Sequence, residues 1–531
     1  MNRAHPDAPI PSQRIDMTEN PNPTGRRVRR ALRLAPAVLL VLGCTDLTEV
    51  PKDALTPDNA FKTEAEVLAG VASVYAGMRA TMWGYYNLSE VTTDEMIVPT
   101  RGTDWFDNGR WLELYRQTWT ANSGSALDDM NGTWNGLFSG VARANLMISV
   151  IEQAGGVNAE TTIAELRTLR AWYYFMLMDM FGGVPLVTTT EVEQRPRVSR
   201  AELFDFIEAE LLAAREDLPV SWPAAQYGRV TRGAADAILA AMYLNAQVFT
   251  GEVTAAGLQP GTARWQDAID AADRVINSGQ YSLAGDWRSN FTIDNQGSPE
   301  NIFVIVHSSN PGLGMSLPMR TLHYNQLAPG PWNGFTTIAE TYNAFDPEDA
   351  RRDIFLVGQQ FSFNTGEAVE DRTGNPLVFT TTIGDVTQAA ENEGPRWNKF
   401  PPLPGAPDGD SHPNDFPFFR LAEMYLIRAE ANNELGNVGA AMTDVNLVRA
   451  RHFDPPKPLT ASSQAEAREL ILRERLFEFA AEAKRRRDLI RAGRYTAARR
   501  FKEAREPYRI LMPIPETQLQ TNPLLVQNAG Y

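Results

Sequence analysis

From Leu421 to Leu435 the apolar residues fall at the i, i+3, i+4 spacing of one helix face; the pattern breaks at Gly436-Asn437 and resumes from Val438 to Arg451. That is a helical hairpin, and the alanines at 422, 429, 431, 440 and 441 let its two backbones approach closely. Similar amphipathic stretches run from Ile163 to Phe181, Leu203 to Ala214, Ala234 to Phe249, Trp265 to Ile276 and Ala465 to Phe479. Ser199 and Glu202 form a capping box ahead of Leu203, Phe206, Ile207 and Leu211, and Pro219 stops that helix. Pairing 161–181 with 199–218, 230–249 with 264–278 and 465–480 with 484–492 gives, with 421–451, about four hairpins. A hairpin can bury its apolar stripe only against a neighbour, so the chain must stack them.

The expected fold is therefore mainly α, built on tetratricopeptide-like helix pairs, although no period of about 34 residues is kept and the Trp and Pro of that repeat are missing. Two segments escape the helical pattern. Between about Tyr281 and Pro417, Gly, Pro, Asn and aromatic clusters take over, with one strand candidate at Ile302 to Val306. A smaller irregular stretch, about Thr92 to Asp129, carries Trp105, Trp111 and Trp119. Loop regions of this length inside a folded chain usually carry function, so insertions at about 92–129 and 281–417 are where a site is expected.

The N-terminus reads as an address. Arg26, Arg27, Arg29, Arg30 and Arg33 precede the apolar run Leu34 to Leu42, which stops at Gly43-Cys44. The run is too short to span a bilayer, which takes about 20 residues, and fits a signal peptide. Leu40-Val41-Leu42-Gly43-Cys44 ends like a bacterial lipobox, and Cys44 is the sole cysteine of the 531 residues. We expect a signal peptide over 1–43, lipidation of Cys44, a tether over 44–58 and a single helical domain over 59–531. Translation could start at Met1 or Met17. Several acyl chains on one Cys would hold the chain on a membrane stably.

Charge and composition exclude several functions. The net charge is −15 and becomes −19 once residues 1–43 are removed, the wrong sign for grasping nucleic-acid phosphates. One cysteine rules out an internal disulfide or a cysteine zinc cluster, and the five histidines, at 5, 307, 323, 412 and 452, never fall at a two-His metal spacing. No phosphate loop, nucleophile elbow or zinc helix is present. No catalytic residue, cofactor or metal is expected. Asp346, Glu348, Asp349 and Asp353 do not keep a calcium-loop spacing. The arginine-dense stretch Arg468 to Arg509 is interleaved with acids and reads as a salt-bridged helix face.

Several segments resemble one family. Leu169-Arg170-Ala171-Trp172-Tyr173-Tyr174-Phe175 with Phe181-Gly182-Gly183-Val184-Pro185-Leu186, Arg229-Val230-Thr231 ahead of Ala234 to Tyr243, and Arg420-Leu421-Ala422-Glu423-Met424-Tyr425-Leu426 are similar to signatures of the SusD/RagB nutrient-uptake lipoproteins of Bacteroidota-type bacteria. Glu474-Arg475 to Asp488-Leu489 fits too, with Lys484-Arg485 where the family usually has Gly-His, as does the closing Leu511-Met512-Pro513-Ile514-Pro515 to Gly530-Tyr531. The resemblance runs from Cys44 to Tyr531. It implies an outer-membrane, surface-exposed lipoprotein that is not an enzyme. Such a protein binds a glycan, or in some members a peptide, at the loop-rich side and delivers it to a SusC-like TonB-dependent transporter.

A glycan surface needs exposed aromatic planes flanked by hydrogen-bonding side chains. Arg101, Asp104, Trp105 and Asp107 supply these in one predicted loop, Trp332 and Asn333 in a second, and Trp397 in a third. Trp172, Trp134 and Trp265 lie on helical faces and are expected in the core; Trp83, with Tyr85, Tyr86 and Asn87, fits either role. The competing functions are a glycoside hydrolase, for which no motif selects a carboxylate pair, and a pure interaction scaffold, against which the aromatic loops stand.

Overall fold

Thr63 caps the first described helix: its hydroxyl accepts the Glu66 amide at 3.2 Å, and the Glu66 carboxylate accepts the Thr63 amide at 2.9 Å. The computed structural model describes residues 61, 63–122, 124–155 and 158–531; the expected signal peptide, Cys44 and the tether lie outside them. The helices are α1 (Glu64–Ala80), α2 (Gly84–Glu90), α3 (Arg110–Arg116), α4 (Leu127–Ala154), α5 (Ala159–Phe181), α6 (Arg200–Asp217), α7 (Arg232–Leu244), α8 (Ala246–Phe249) and α9 (Trp265–Ile276). After the short α10 (Leu317–Thr321) and α11 (Ala339–Ala344) come α12 (Leu421–Glu434), α13 (Val438–Arg449), α14 (Gln464–Phe479) and α15 (Arg485–Arg491). Helix takes 47% of the chain and strand 8%, so the fold is mainly α.

The four expected hairpins form: α5 packs on α6, α7 on α9, α12 on α13 and α14 on α15. Cross-packing of α6 with α7, α9 with α12 and α12 with α14 makes one continuous stack, although 281–417 separates α9 from α12 in sequence. Helix α5 lies at its centre and is buried all round from Ala164 onward except at Arg167. Two long helices, α1 and α4, were not anticipated, nor were the short α2, α3, α10 and α11. Helix α4 packs on α5 and α1 packs on α4; glycines at 132, 136 and 140 dilute the apolar spacing of α4 and lower its helix propensity. Gly140 has a packing reason, because a Cβ there would lie 2.3 Å from Tyr173 Cζ in α5.

The large insertion is closed at its neck. Asn301–Ile305 pairs antiparallel with Phe416–Arg420, and the second strand runs directly into α12. A buried ion network then fastens the insertion to the stack. Arg420 reaches Glu300 and Glu478 at 2.6 Å each and Glu482 at 2.8 Å; Arg351 reaches Glu474 at 2.7 Å and Glu478 at 2.9 Å. Burial alone would push the Glu478 carboxyl up, but Arg451, Arg420 and His452 around it hold it well below the usual carboxylate range.

The Arg468–Arg509 stretch is ion-paired as its sequence suggests, but not as a solvent face. Arg475 and Arg486 are buried, paired with Asp488 at 2.8 Å and Asp179 at 2.9 Å, and only some members, such as Arg494 with Glu469, stay exposed. The acids at 346–349 are also engaged: Asp349 holds Arg351 at 2.8 Å, and Lys457 holds Asp346 at 3.2 Å and Glu348 at 2.9 Å. The C-terminus folds back on the stack, where the Asn528 amide donates to Phe181 O at 3.0 Å and Met512 O at 2.7 Å. Among the described residues no helix is long and apolar enough to cross a membrane.

Candidate functional site

The two irregular segments meet. Ile97 and Thr336 exchange backbone hydrogen bonds at 2.9 and 3.0 Å, so the loop after α2 and the loop after α10 run side by side. A tight turn in which Arg101 and Asp104 exchange backbone bonds then presents Trp105, whose indole N–H donates to Trp332 O at 2.6 Å. Trp332 is held from behind by its own amide, donated to Met319 O at 2.7 Å, while the Gly334 and Phe335 amides donate to Arg320 O at 2.9 and 2.7 Å. Gly334 sits where only glycine fits, since a Cβ there would fall 2.3 Å from Trp105 Cε2.

These contacts frame an open cleft of about 560 Å³ lined by Trp83, Asp104, Trp105, Asp107, Tyr324 and Trp332, with Arg110 and Trp111 behind. Trp83 meets Trp332 edge-on at 6.5 Å between ring centroids, and Trp105 packs edge-on against Trp111 at 5.3 Å and Phe335 at 5.7 Å. Trp83 keeps 40% of its surface exposed, the most of any described tryptophan. Its ring lies 4.1 Å from the guanidinium carbon of buried Arg320, which donates to Met82 O at 2.8 Å and Ser316 Oγ at 2.9 Å. Burial brings the Arg320 pKa down to about 10, so the group stays charged at neutral pH.

The polar rim is equally fixed. Asp104 accepts from Tyr324 OH at 2.6 Å and from Arg372 at 2.8 Å, and Arg372 lies 4.0 Å over the Tyr324 ring. Burial and the Asp104 carboxylate raise the Tyr324 phenol well above its usual range, so it remains a donor. Asp107 accepts the Trp111 indole N–H at 2.6 Å, and Arg110 grips Asp129 through two bonds of 2.6 and 2.7 Å. Trp105, Asp107, Asn108 and Asn333 all have positive φ, at 60°, 39°, 54° and 52°. Such left-handed non-glycine residues are uncommon and gather where the surrounding contacts hold a shape for a purpose.

Of the residues singled out in the sequence, Trp105, Asp104, Asp107 and Trp332 come together at this cleft. Three do not offer a free surface. Arg101 is turned inward, where it donates to Ala390 O and to Glu393 O at 2.9 Å. Asn333 is buried, its amide oxygen held by Arg396 at 2.9 Å and its amide nitrogen donated to Glu391 O at 3.0 Å. Trp397 is only 3% exposed; it lies in a short strand paired with Phe355–Leu356, and its ring packs on Phe355 at 4.7 Å. All three are supports rather than contact residues, since a ring or amide without accessible surface cannot meet a polysaccharide. Trp172 and Trp134 are buried and Trp265 half-buried.

Sequence reasoning missed Tyr324, Arg320 and Arg372 and left Trp83 undecided. Tyr324 precedes Asn325 and Gln326, a polar pair beside the second aromatic patch, which was the available signal. Nothing local marks the two arginines, whose roles arise from contacts across more than 200 residues.

The molecule is thus a stack of helical hairpins bearing a loop-built aromatic cleft. One family model, described as "SusD family", matches residues 277–531, and a second, described as "Starch-binding associating with outer membrane", matches residues 54–244, so each contributes one wall of the cleft. The chain belongs to the SusD/RagB family. The starch-binding protein SusD of Bacteroides thetaiotaomicron is 25% identical, the match covering 84% of this chain and 85% of that protein. SusD-like protein P25 of Formosa agariphila is 22% identical over 93% of this chain and 98% of its own. A SusD-like protein of Bacteroides fragilis superposes with a TM-score of 0.72 at 22% identity, covering 88% of this chain and 97% of that one. Surface glycan-binding protein A of Bacteroides thetaiotaomicron, solved with laminarihexaose, superposes at 0.69 and 19% identity over 88% and 99%. The two structural likenesses show the fold.

Proposed function

We propose that this chain is a surface lipoprotein of the outer membrane, anchored through Cys44, that captures a glycan in the Trp83–Trp105–Trp332 cleft. It passes the glycan uncleaved to a SusC-like TonB-dependent transporter. The observation that carries the reading is the convergence of three indoles and Tyr324, drawn from distant segments, on one open cleft. Sugar rings present C–H faces that stack on aromatic planes and hydroxyls that bond to a fixed polar rim, here Asp104, Asp107 and Arg110. The rim acids are occupied in positioning work, Asp104 by Tyr324 and Arg372 and Asp107 by Trp111, which suits holding a ligand more than proton transfer to it. The names of the relatives, which bind starch or glycan, support the ligand class. Modest affinity suffices at a tethered site, because tethering raises the effective concentration beside the transporter.

The test is calorimetric titration of the purified full chain against a panel of polysaccharides and peptides, with the same mixtures assayed for cleavage products. Saturable binding to a polysaccharide without products is expected. Binding to peptides alone would move the ligand class, and product release would make the protein an enzyme. In cells, Cys44→Ser is expected to release the protein from the outer membrane; retention there would remove the anchor from the proposal.

A further inference from the structure

A second cavity, of about 400 Å³, shares Trp83 with the aromatic cleft, is lined also by Arg320, and lies between the end of α1 and the loops around residues 307–316 and 410. Two side chains of opposite charge face it without pairing. Arg79 makes one long hydrogen bond, to Val306 O at 3.3 Å, and among the described residues it has no ion-pair partner. The Asp410 carboxylate makes no hydrogen bond or ion pair among the described residues and feels the Arg320 charge only at longer range, while the Asp410 amide donates to Asp408 at 3.0 Å. This contrasts with the first cleft, where Arg110 and Arg372 are both closed onto carboxylates. Arg320 and Ser316 are already bonded to each other, and His307, kept uncharged by burial at about 3, adds no further cation.

An open guanidinium and an open carboxylate lining one cavity offer donors and acceptors to the same ligand. A lone anion would face Asp410 and a lone cation would face Arg79, whereas the hydroxyls of a neutral sugar donate to one and accept from the other. We propose that this cavity is a second sugar subsite, continuous with the aromatic cleft across Trp83, which takes hydroxyls of a neutral sugar unit further along the same chain. The inference rests on the glycan reading above and adds to it: the ligand is an oligosaccharide long enough to cross Trp83, held at Arg79 and Asp410 beyond it.

The test titrates laminaribiose and laminarihexaose into the full chain, wild type, Arg79→Gln and Asp410→Asn. Both changes are made at solvent-accessible positions, and thermal melts verify that the variants fold. The wild type is expected to bind the hexaose more tightly. Each variant should lose about tenfold or more for the hexaose, the loss for a hydrogen bond to a charged group, and should bind the biose as the wild type does. Equal wild-type affinity for the two lengths, unchanged hexaose binding in both variants, or equal loss for both lengths would overturn the subsite while leaving capture at the aromatic cleft standing. Failure of the wild type to bind either sugar would remove the subsite together with the β-glucan form of the glycan reading.

Discussion

Replacing Gly334 by alanine tests whether the cleft's shape is held by the packing described. The added methyl would lie 2.3, 2.4 and 2.8 Å from Trp105 Cε2, Cζ2 and Cδ2, where carbon atoms normally rest about 3.5–4 Å apart. Trp105 must therefore retreat by more than about 1 Å, and its rigid ring cannot give way by rotating a flexible end. Retreat strains or breaks the bond to Trp332 O, a net contribution of about 1 kcal/mol, and disturbs ring contacts with Trp111 and Phe335 that contribute about 0.5–1.5 kcal/mol each. The expected stability loss is roughly 2–4 kcal/mol, read as a shift in the urea midpoint. The same movement breaks the alignment of Trp105 with Trp332, so affinity for the bound polysaccharide should fall at least about tenfold, or about 1.4 kcal/mol. A Gly334→Ala protein that binds as the wild type does would refute the claim that these two indoles form one fixed surface.

Three further outcomes follow from the supporting structure. Trp397→Ala should cost about 3–5 kcal/mol by leaving a cavity, yet the folded protein should bind ligand normally; a selective loss of affinity in titration would return Trp397 to the contact surface. Arg420→Met leaves Glu300, Glu478 and Glu482 buried with one cation fewer and should destabilise by about 3–5 kcal/mol in urea; a neutral result would mean that the network does not fasten the insertion. Burial raises the Glu90 carboxyl from 4.5 to about 7, so the folded chain keeps a proton that the unfolded chain releases, and stability should fall as pH rises across that window. Glu90→Gln should flatten this dependence in urea midpoints; an unaltered slope would assign it to other groups.

The helical stack was legible because α6 and α13 each bury one stripe, α12 is rich in apolar residues throughout, and their ends are announced by a capping box, a proline or a Gly-Asn turn. Helix α4 was not, since Gly132, Gly136 and Gly140 dilute its apolar spacing, and of these only Gly140 is there to let Tyr173 approach. Polar, glycine-rich loops drew attention to Trp105 and Trp332, and both line the cleft. The same signal misplaced Trp397, Arg101 and Asn333, because a loop's composition does not reveal which side chains turn inward. Arg101 and Asn333 were lost to carbonyls and to Arg396, partners between about 60 and 300 residues away that no local pattern encodes. Trp83 could not be assigned until Arg320 was found beneath it.

The most direct test of the central claim is one titration series: the polysaccharide that binds the wild type, measured against Trp105→Ala, Trp332→Ala and the double variant, with thermal melts in parallel. Capture by the aromatic cleft predicts a loss of at least about tenfold for each single change and no measurable saturation for the double variant, in protein that still melts cooperatively. Wild-type affinity in a folded double variant would contradict it and place the ligand elsewhere on the molecule.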